Sequence, residues 1–154
     1  MADPFPPGAD VVTLFNANLG GFERAIGLRF TRITPDELVA EVPVGPHLTQ
    51  PYGIVHGGVH ASIVETLGSA GAALHAMAAG KTSVGLENTT SFVRAVRTGT
   101  LVATAQPIHR GRGSQVWQVD IRESGKLVAT GRLRTLSLEA GATVAGETVG
   151  LKST

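Results

Sequence analysis

The sequence predicts an α+β fold in which one antiparallel sheet packs around one dominant helix. Three observations carry this. Residues 58–79 hold the one long helical pattern, with Ile63, Leu67, Ala70, Leu74 and Met77 recurring at three- and four-residue spacing. From Thr82 to Leu138 the chain reads as four alternating runs, the last two joined by Glu123-Ser124-Gly125, a hairpin signal. Two more alternating runs precede the helix, so the order is helix, two strands, long helix, four strands.

The elements follow in order. Residues 1–10 contain Pro4, Pro6 and Pro7 and are expected to be a flexible N-terminus. Val11–Ile26 mixes apolar and polar residues at helical spacing and predicts a helix broken or bent at Gly20-Gly21. Leu28–Val44 predicts two strands with a turn at Pro35-Asp36. Residues 45–57 form a loop punctuated by Pro and Gly. It is longer than most connections, and such loops often carry function. Gly80 closes the long helix. The later strands are predicted over Thr82–Val93, Gly99–His109, Ser114–Arg122 and Lys126–Leu138. Residues 139–154 are rich in Gly and Thr and are expected to be a flexible tail. One domain over residues 11–138 accounts for the rest.

Composition narrows the function. A chain of 154 residues buries enough surface to fold without a metal or a staple. It has no cysteine, which excludes disulfides, thiolate zinc, iron–sulfur clusters and a cysteine nucleophile. Charged residues are only 16% of the chain, which predicts a sizeable subunit interface. Seven aromatics against twenty glycines predict a core of Val, Ile, Leu and Ala. The net charge of +1 hides an asymmetry: residues 1–80 sum to −4, residues 81–134 to +6 and residues 135–154 to −1. The basic stretch points to an anionic partner. Without a dense Lys/Arg run or interleaved aromatics, a small phosphate-bearing ligand fits better than nucleic acid. No leader-like segment and no window of 18 apolar residues is visible, so the expectation is a cytoplasmic protein without a membrane partner.

The long helix has one acid, Glu65, and no Lys or Arg between residues 58 and 80. A helix apolar or small all round is buried, here by the sheet and by something on its other side. Glu65 lies about 160–200° from the Ile63/Leu67/Leu74 seam. Its neighbours there, Gly58, Ala61, Ser62, Gly68, Ser69 and Ala72, are all small. A solvent-facing Glu is the ordinary alternative; the absence of other charges on the strip favours a site carboxylate. His56-Gly57-Gly58 opens this helix. There the first-turn N–H groups lack intrahelical partners and the helix dipole is positive, which suits an oxyanion; a plain flexible entry to the helix is the alternative. Gly57 and Glu65 stand about 12 Å apart along one helix, too far to act on one carbonyl. They cooperate only if a second subunit brings its Glu65 to Gly57.

Other chemistry is thinly represented. No G-x-S-x-G, G-x-x-x-x-G-K-[ST] or strand-linked G-x-G-x-x-G is present. His56 and His60 have i,i+4 spacing but no third ligand at motif spacing, so no metal site is expected. Asn88-Thr89-Thr90 has the spacing of a glycosylation sequon, which matters only in a secreted protein. Arg94 and Arg97 follow one predicted strand, and Arg110 and Arg112 alternate with Gly111 and Gly113 at a strand turn. These suit either a phosphate site or a solvated strand end.

Taken together, Gln50-Pro51-Tyr52-Gly53-Ile54-Val55-His56-Gly57-Gly58 and Glu65-Thr66-Leu67-Gly68-Ser69 resemble the hotdog-fold acyl-CoA thioesterases. Val84-Gly85-Leu86-Glu87, Val93-Arg94, His109-Arg110-Gly111 and Gln115-Val116-Trp117-Gln118 continue the resemblance, which spans roughly residues 20–138. It is nearest the Glu-using branch, which includes 1,4-dihydroxy-2-naphthoyl-CoA and 4-hydroxybenzoyl-CoA thioesterases. The related phenylacetate-pathway enzymes usually carry Asp where Glu65 stands.

The resemblance implies a sheet wrapped around a central helix. It also implies homodimers with shared sites at the interface, often paired again into homotetramers. It implies that the Gly57 N–H polarises the thioester carbonyl with Gln50 and His56 beside it. Glu65 of the other subunit would be nucleophile or general base, and Ser69 would help position water. Coenzyme A, part of the substrate rather than a cofactor, would lie along Gly85, Phe92, Val93, Arg94 and Ala95. Its phosphates would fall near His109, Arg110, Gly111, Arg112, Gly113 and Ser114. The chain departs from the pattern at Phe92, where one related group has His, and at His60 and His75, where small or apolar residues are usual. Two other activities belong to the same frame: an enoyl-CoA hydratase or dehydratase, against which Gln50 with His56-Gly57-Gly58 argues, and a non-catalytic acyl-CoA-binding protein.

Overall fold

The computed structural model describes residues 8–150. Parts of both expected flexible ends, residues 1–7 and 151–154, lie outside the described residues. The elements are helices α1 (Val11–Ala17) and α2 (Gly21–Ala25), strands β1 (Arg29–Ile33) and β2 (Leu38–Pro43), and a 3-10 turn over Pro46–Leu48. Then come α3 (Gly57–Ala78), β3 (Lys81–Phe92), β4 (Thr100–Arg110), β5 (Ser114–Glu123), β6 (Lys126–Glu139) and the short β7 (Thr143–Val144) and β8 (Glu147–Thr148). The α+β order expected from the sequence is the observed one.

The first expected helix divides in two. Asp10 caps α1 by accepting from the Thr13 N–H at 3.1 Å, and Gly20 opens α2 without a side-chain cap. Where a flexible tail was expected, residues 143–148 fold back as a two-stranded hairpin. Ala145 and Gly146 turn it, both with the positive φ that two-residue hairpins favour. Among the described residues no helix is long and apolar enough to cross a membrane.

Six strands form one antiparallel sheet in the order β1-β2-β4-β5-β6-β3. Hairpins join β1 to β2, β4 to β5 and β5 to β6, as their turn residues require. Strand β3 follows α3 in the chain but pairs with β6, the last long strand, and so ends as a sheet edge. The sheet curls around α3. Ile63, Val64, Leu67, Leu101, Val119, Ile121 and Leu133 are buried between them, with Trp117 and Phe30 as the large aromatic fillers.

The helix fits this sheet because its sheet-facing side is small. A Cβ on Gly71 would lie 2.6 Å from the Trp117 ring, and one on Gly68 would lie 2.7 Å from Leu133 Cδ2. Gly68 and the buried Ala72 therefore belong to the packed side of α3, and the small strip beside Glu65 is narrower than the sequence suggests. The Ala72 carbonyl accepts from the buried Gln115 amide at 3.0 Å, and Gln115 in turn accepts from the Trp117 indole at 3.1 Å. This network satisfies Gln115 and Trp117, whereas the buried Thr135 hydroxyl and His60 Nδ1 have no hydrogen-bond partner among the described residues. The apolar seam holds at Ile63, Leu67 and Leu74, whereas Met77 is exposed where the helix runs past the sheet.

Gly71→Ala should lower stability by about 1–3 kcal/mol, because overpacking against Trp117 outweighs the roughly 1 kcal/mol gain in helix propensity. Thermal denaturation measures it; an unchanged or raised Tm would contradict the packing described.

Candidate active site

Two groups of side chains gather on α3, one at its start and one in its middle. At the start, His56 caps the helix by accepting the Gly58 N–H on Nδ1 at 2.8 Å. That bond leaves Nε2 as the protonated nitrogen of the neutral ring. The Gly57 N–H has no acceptor among the described residues. The Phe92 ring rests on the Gly57 Cα so closely that a Cβ there would lie 2.8 Å from it. A side chain at 57 would require the exposed Phe92 ring to move aside. Phe92 itself is 61% exposed. His60, one turn on, is 3% exposed, and its ring centroid lies 6.0 Å from that of Phe92.

The loop before α3 has more structure than its Pro/Gly content suggests. Thr49 bridges Val55, the Gln50 N–H donates to Ile54 O at 2.9 Å, and the Gly53 N–H donates to Gln50 O at 2.8 Å. Gly53 takes φ +70°, which closes a tight three-residue turn over Pro51-Tyr52-Gly53. Arg97 clamps this turn by donating to the Tyr52 carbonyl at 2.8 Å and the Gly53 carbonyl at 3.1 Å. The His56 N–H then donates to Leu48 O at 2.8 Å. The loop is thus a small hairpin that carries Gln50 beside the helix entrance.

In the middle of α3, the half-buried Glu65 is held from two sides. Ser69, one turn on, donates to Oε1 at 3.3 Å, and Asn88 of β3 donates to Oε2 at 3.2 Å. Gly85 lies beneath, and a Cβ on it would collide with Glu65 Oε1. A bulge between Gly85 and Glu87 makes this arrangement. It shifts the strand's parity by one, so that Gly85, Asn88, Thr90 and Phe92 all pair with the buried row Thr135, Leu133, Gly131 and Ala129 and face the helix. Glu87 is turned outward, where it pairs with Arg134 at 3.4 Å.

The structure separates the residues expected along coenzyme A. Phe92 to Ala95 lie where β3 ends, and the Val93 and Arg94 N–H groups both donate to Val128 O at 2.8 and 3.1 Å. His109 to Ser114 lie at the other end of the sheet, since Gln115 pairs with Thr135 and Thr135 with Gly85. Along β3 that is about 23 Å from Phe92. Arg110 is paired with Asp36 at 2.7 Å and also donates to Pro35 O at 2.9 Å, tying the β1–β2 turn. Arg94 and Arg112 make no ion pair among the described residues. His75 sits near Arg110; its own burial first, and then the Arg110 charge, lower its pKa. Beside the helix entrance is an open groove of about 400 Å³ lined by Phe22, Ile26, Leu48, Val59, His56 and Ser62, among others. Among the described residues no group of three or more His, Asp or Glu could hold a metal ion.

Asn88 is the site residue that the sequence concealed. Plain alternation from Gly85 places Asn88 on the outer face, and only the bulge turns it inward. The Asn88-Thr89-Thr90 tripeptide was visible, but its spacing suggests a different chemistry.

Comparison with known proteins identifies the class. The family described as the thioesterase superfamily matches residues 52–130. The proofreading thioesterase EntH of Cronobacter turicensis is 39% identical over 119 residues, covering 77% of this chain and 86% of that protein. The 1,4-dihydroxy-2-naphthoyl-CoA hydrolase of Escherichia coli is 37% identical over 122 residues, covering 79% and 87%. The crystal structure of a thioesterase from Haemophilus influenzae superposes with a TM-score of 0.78 at 35% identity, over 83% of this chain and 90% of that one. The chain belongs to the thioesterase superfamily: its fold is the hotdog, and its chemistry is thioester hydrolysis.

Burial lowers the His60 pKa from its ordinary 6.5, so the folded chain holds this ring neutral. A lowered folded value means that the unfolded chain takes up the proton first. The stability is therefore present above about pH 6.5 and is lost as pH falls through the folded value. Tm should fall between about pH 7.5 and about pH 5, and His60→Leu should flatten that dependence. An equal slope in His60→Leu would contradict the assignment.

Proposed function

We propose that the protein hydrolyses an acyl-CoA thioester to the free acid and coenzyme A at sites shared between two subunits. One observation carries the proposal. The only acid of α3 is held by two donors over a glycine, while the unpartnered Gly57 N–H lies two turns away at the helix start. An antiparallel pairing of two β3 edges reunites what one chain separates. A two-fold axis near residues 87–88 maps position 92, which touches Gly57, onto positions 83–84 of the second copy, beside its Gly85 and Glu65. The same axis brings Phe92 to Ala95 towards the second copy's 109–114 turn. The exposed Leu86, Phe92 and Val93 along this edge support its burial. Further pairing of such dimers into tetramers is part of the proposal.

In this arrangement the thioester oxygen accepts from the Gly57 N–H, with the helix dipole behind it. Gln50 and the Nε2–H of His56 stand on either side as further donors. Glu65 of the partner subunit attacks the carbonyl carbon, or takes a proton from a water that does. The carbon–sulfur bond then breaks and the thiolate of coenzyme A leaves, taking the proton that the water gave up; where Glu65 itself is the nucleophile, a water next hydrolyses the acyl–Glu65 anhydride, which frees the acid and restores the carboxylate. Ser69 holds Glu65 and the water. The pantetheine arm runs along Phe92, Val93, Arg94 and Ala95, and the phosphates lie near His109 to Ser114, with Arg112 free to meet them. The mainly apolar groove from Phe22 to Val59 suits the acyl group. The reaction as proposed needs no metal or redox group, because a thioester is already activated towards acyl transfer.

Thiol release from a panel of aryl, short, medium and long acyl-CoA thioesters tests this. Glu65→Ala should keep its fold and assembly and lose about 10²-fold or more in kcat. Near-normal turnover by that variant would overturn the assignment of Glu65.

A further inference from the structure

We infer that Asn88 is a positioning residue that fixes the orientation of the Glu65 carboxylate, with Thr90 fixing Asn88 in turn. The inference rests on the reading of Glu65 as the reacting carboxylate. The Asn88 Nδ2 group donates to two acceptors of α3, the Ala61 carbonyl at 2.9 Å and Glu65 Oε2 at 3.2 Å. Ala61 and Glu65 stand four residues apart on one helix face, so one amide spans both. On its other side Asn88 Oδ1 accepts from the Thr90 hydroxyl at 2.7 Å. All three bonds agree on one amide orientation. The flipped amide would aim its oxygen at a carbonyl and a carboxylate, two acceptors that offer it no hydrogen, and would aim its NH₂ at Thr90.

Glu65 thereby receives one neutral donor on each oxygen, Ser69 on Oε1 and Asn88 on Oε2. Ser69 shares a helix with Glu65 and can only restrain it along that helix. Asn88 comes from the strand and sets the carboxylate against the sheet edge, where the partner's Gly57 is proposed to lie. Gly85 below presents no side chain to the carboxylate, and the two hydrogen bonds fix its orientation over that glycine. Rotation of a carboxylate out of line by even a fraction of its length is costly in a reaction that depends on near-attack geometry. The bulge after Gly85 completes the device, because without it Asn88 would face away from the helix.

The test is a double-mutant cycle on the full-length protein, read by thiol release. Asn88→Ala should lower kcat about 10-fold with KM changed by less than about twofold, the size of one lost positioning hydrogen bond. Asn88→Asp keeps the shape but replaces the donor with an oxygen facing Glu65, and should lose at least as much. Thr90→Val frees the amide to rotate and should lose less than either. In a Glu65→Gln background, Asn88→Ala should leave the residual turnover within about twofold, because the group it positions is gone. Wild-type kcat in Asn88→Ala, or an equal proportional loss in both backgrounds, would overturn the inference and leave Asn88 a structural tie between strand and helix. Full activity in Glu65→Gln alone would instead overturn the reading on which the inference rests.

Discussion

The enclosure of α3 by a single sheet is the constraint on which the rest of this molecule depends. A helix that is covered on most of its circumference can carry almost no charge, and between Gly57 and Ala78 only Glu65 is acidic and no residue is Lys or Arg. Close approach of the sheet requires Gly68 and Gly71, where Leu133 and Trp117 occupy the space of a side chain. Each fully buried Leu or Ile along the seam contributes about 1.5–3 kcal/mol, which is how a chain with few charges holds together. The buried amide of Gln115 links Trp117 to the Ala72 carbonyl, so the enclosure carries no unpaired amide or indole. What the sheet leaves less covered on α3 is its N-terminus, the half-buried face at Glu65 and, at the far end, Met77; the first two hold the groups proposed to react.

The edge strand converts that enclosure into a site. Because β3 is the end strand of the sheet, paired only with β6, it leaves a free edge beside α3. The bulge after Gly85 then turns Gly85, Asn88, Thr90 and Phe92 towards the helix while Glu87 points out to Arg134. A regular strand would have split this set between two faces. Phe92 guards Gly57, and Asn88 and Gly85 shape the surroundings of Glu65. Gly57 and Glu65 are thus held on one rigid pair of elements and separated by two helical turns. The proposed pairing of two β3 edges would bury the apolar Leu86, Phe92 and Val93 that this edge exposes.

Much of this was legible in the amino-acid sequence. The period of Ile63, Leu67 and Leu74, the glycines at 57 and 58, and the lone acid at 65 are local features, and local features survive without the fold. The features that were not legible depend on pairing between distant residues. The bulge that turns Asn88 inward exists only in the register of β3 with β6. The packed role of Gly68 and Ala72 depends on where Leu133 and Gln115 come to rest. The pairing of Arg110 with Asp36 joins residues 74 positions apart. The loop before α3 conceals its hairpin because Pro and Gly signal a break in regular structure whether or not a tight turn follows.

The central claim is that each site takes Gly57 from one subunit and Glu65 from the other, and mixing two inactive variants tests it most directly. Gly57→Pro removes the N–H at the first helical position, where proline is well tolerated, and His56 already has the extended backbone that a following proline needs. The exposed Phe92 ring has room to move aside. Glu65→Ala removes the carboxylate. Each variant alone should show little thiol release. After unfolding together and refolding at equal amounts, random pairing places one intact site in each mixed dimer, and about a quarter of wild-type activity should return. Mixtures no more active than the separate variants, with mixed dimers shown to have formed, would place both groups in one chain and contradict the account.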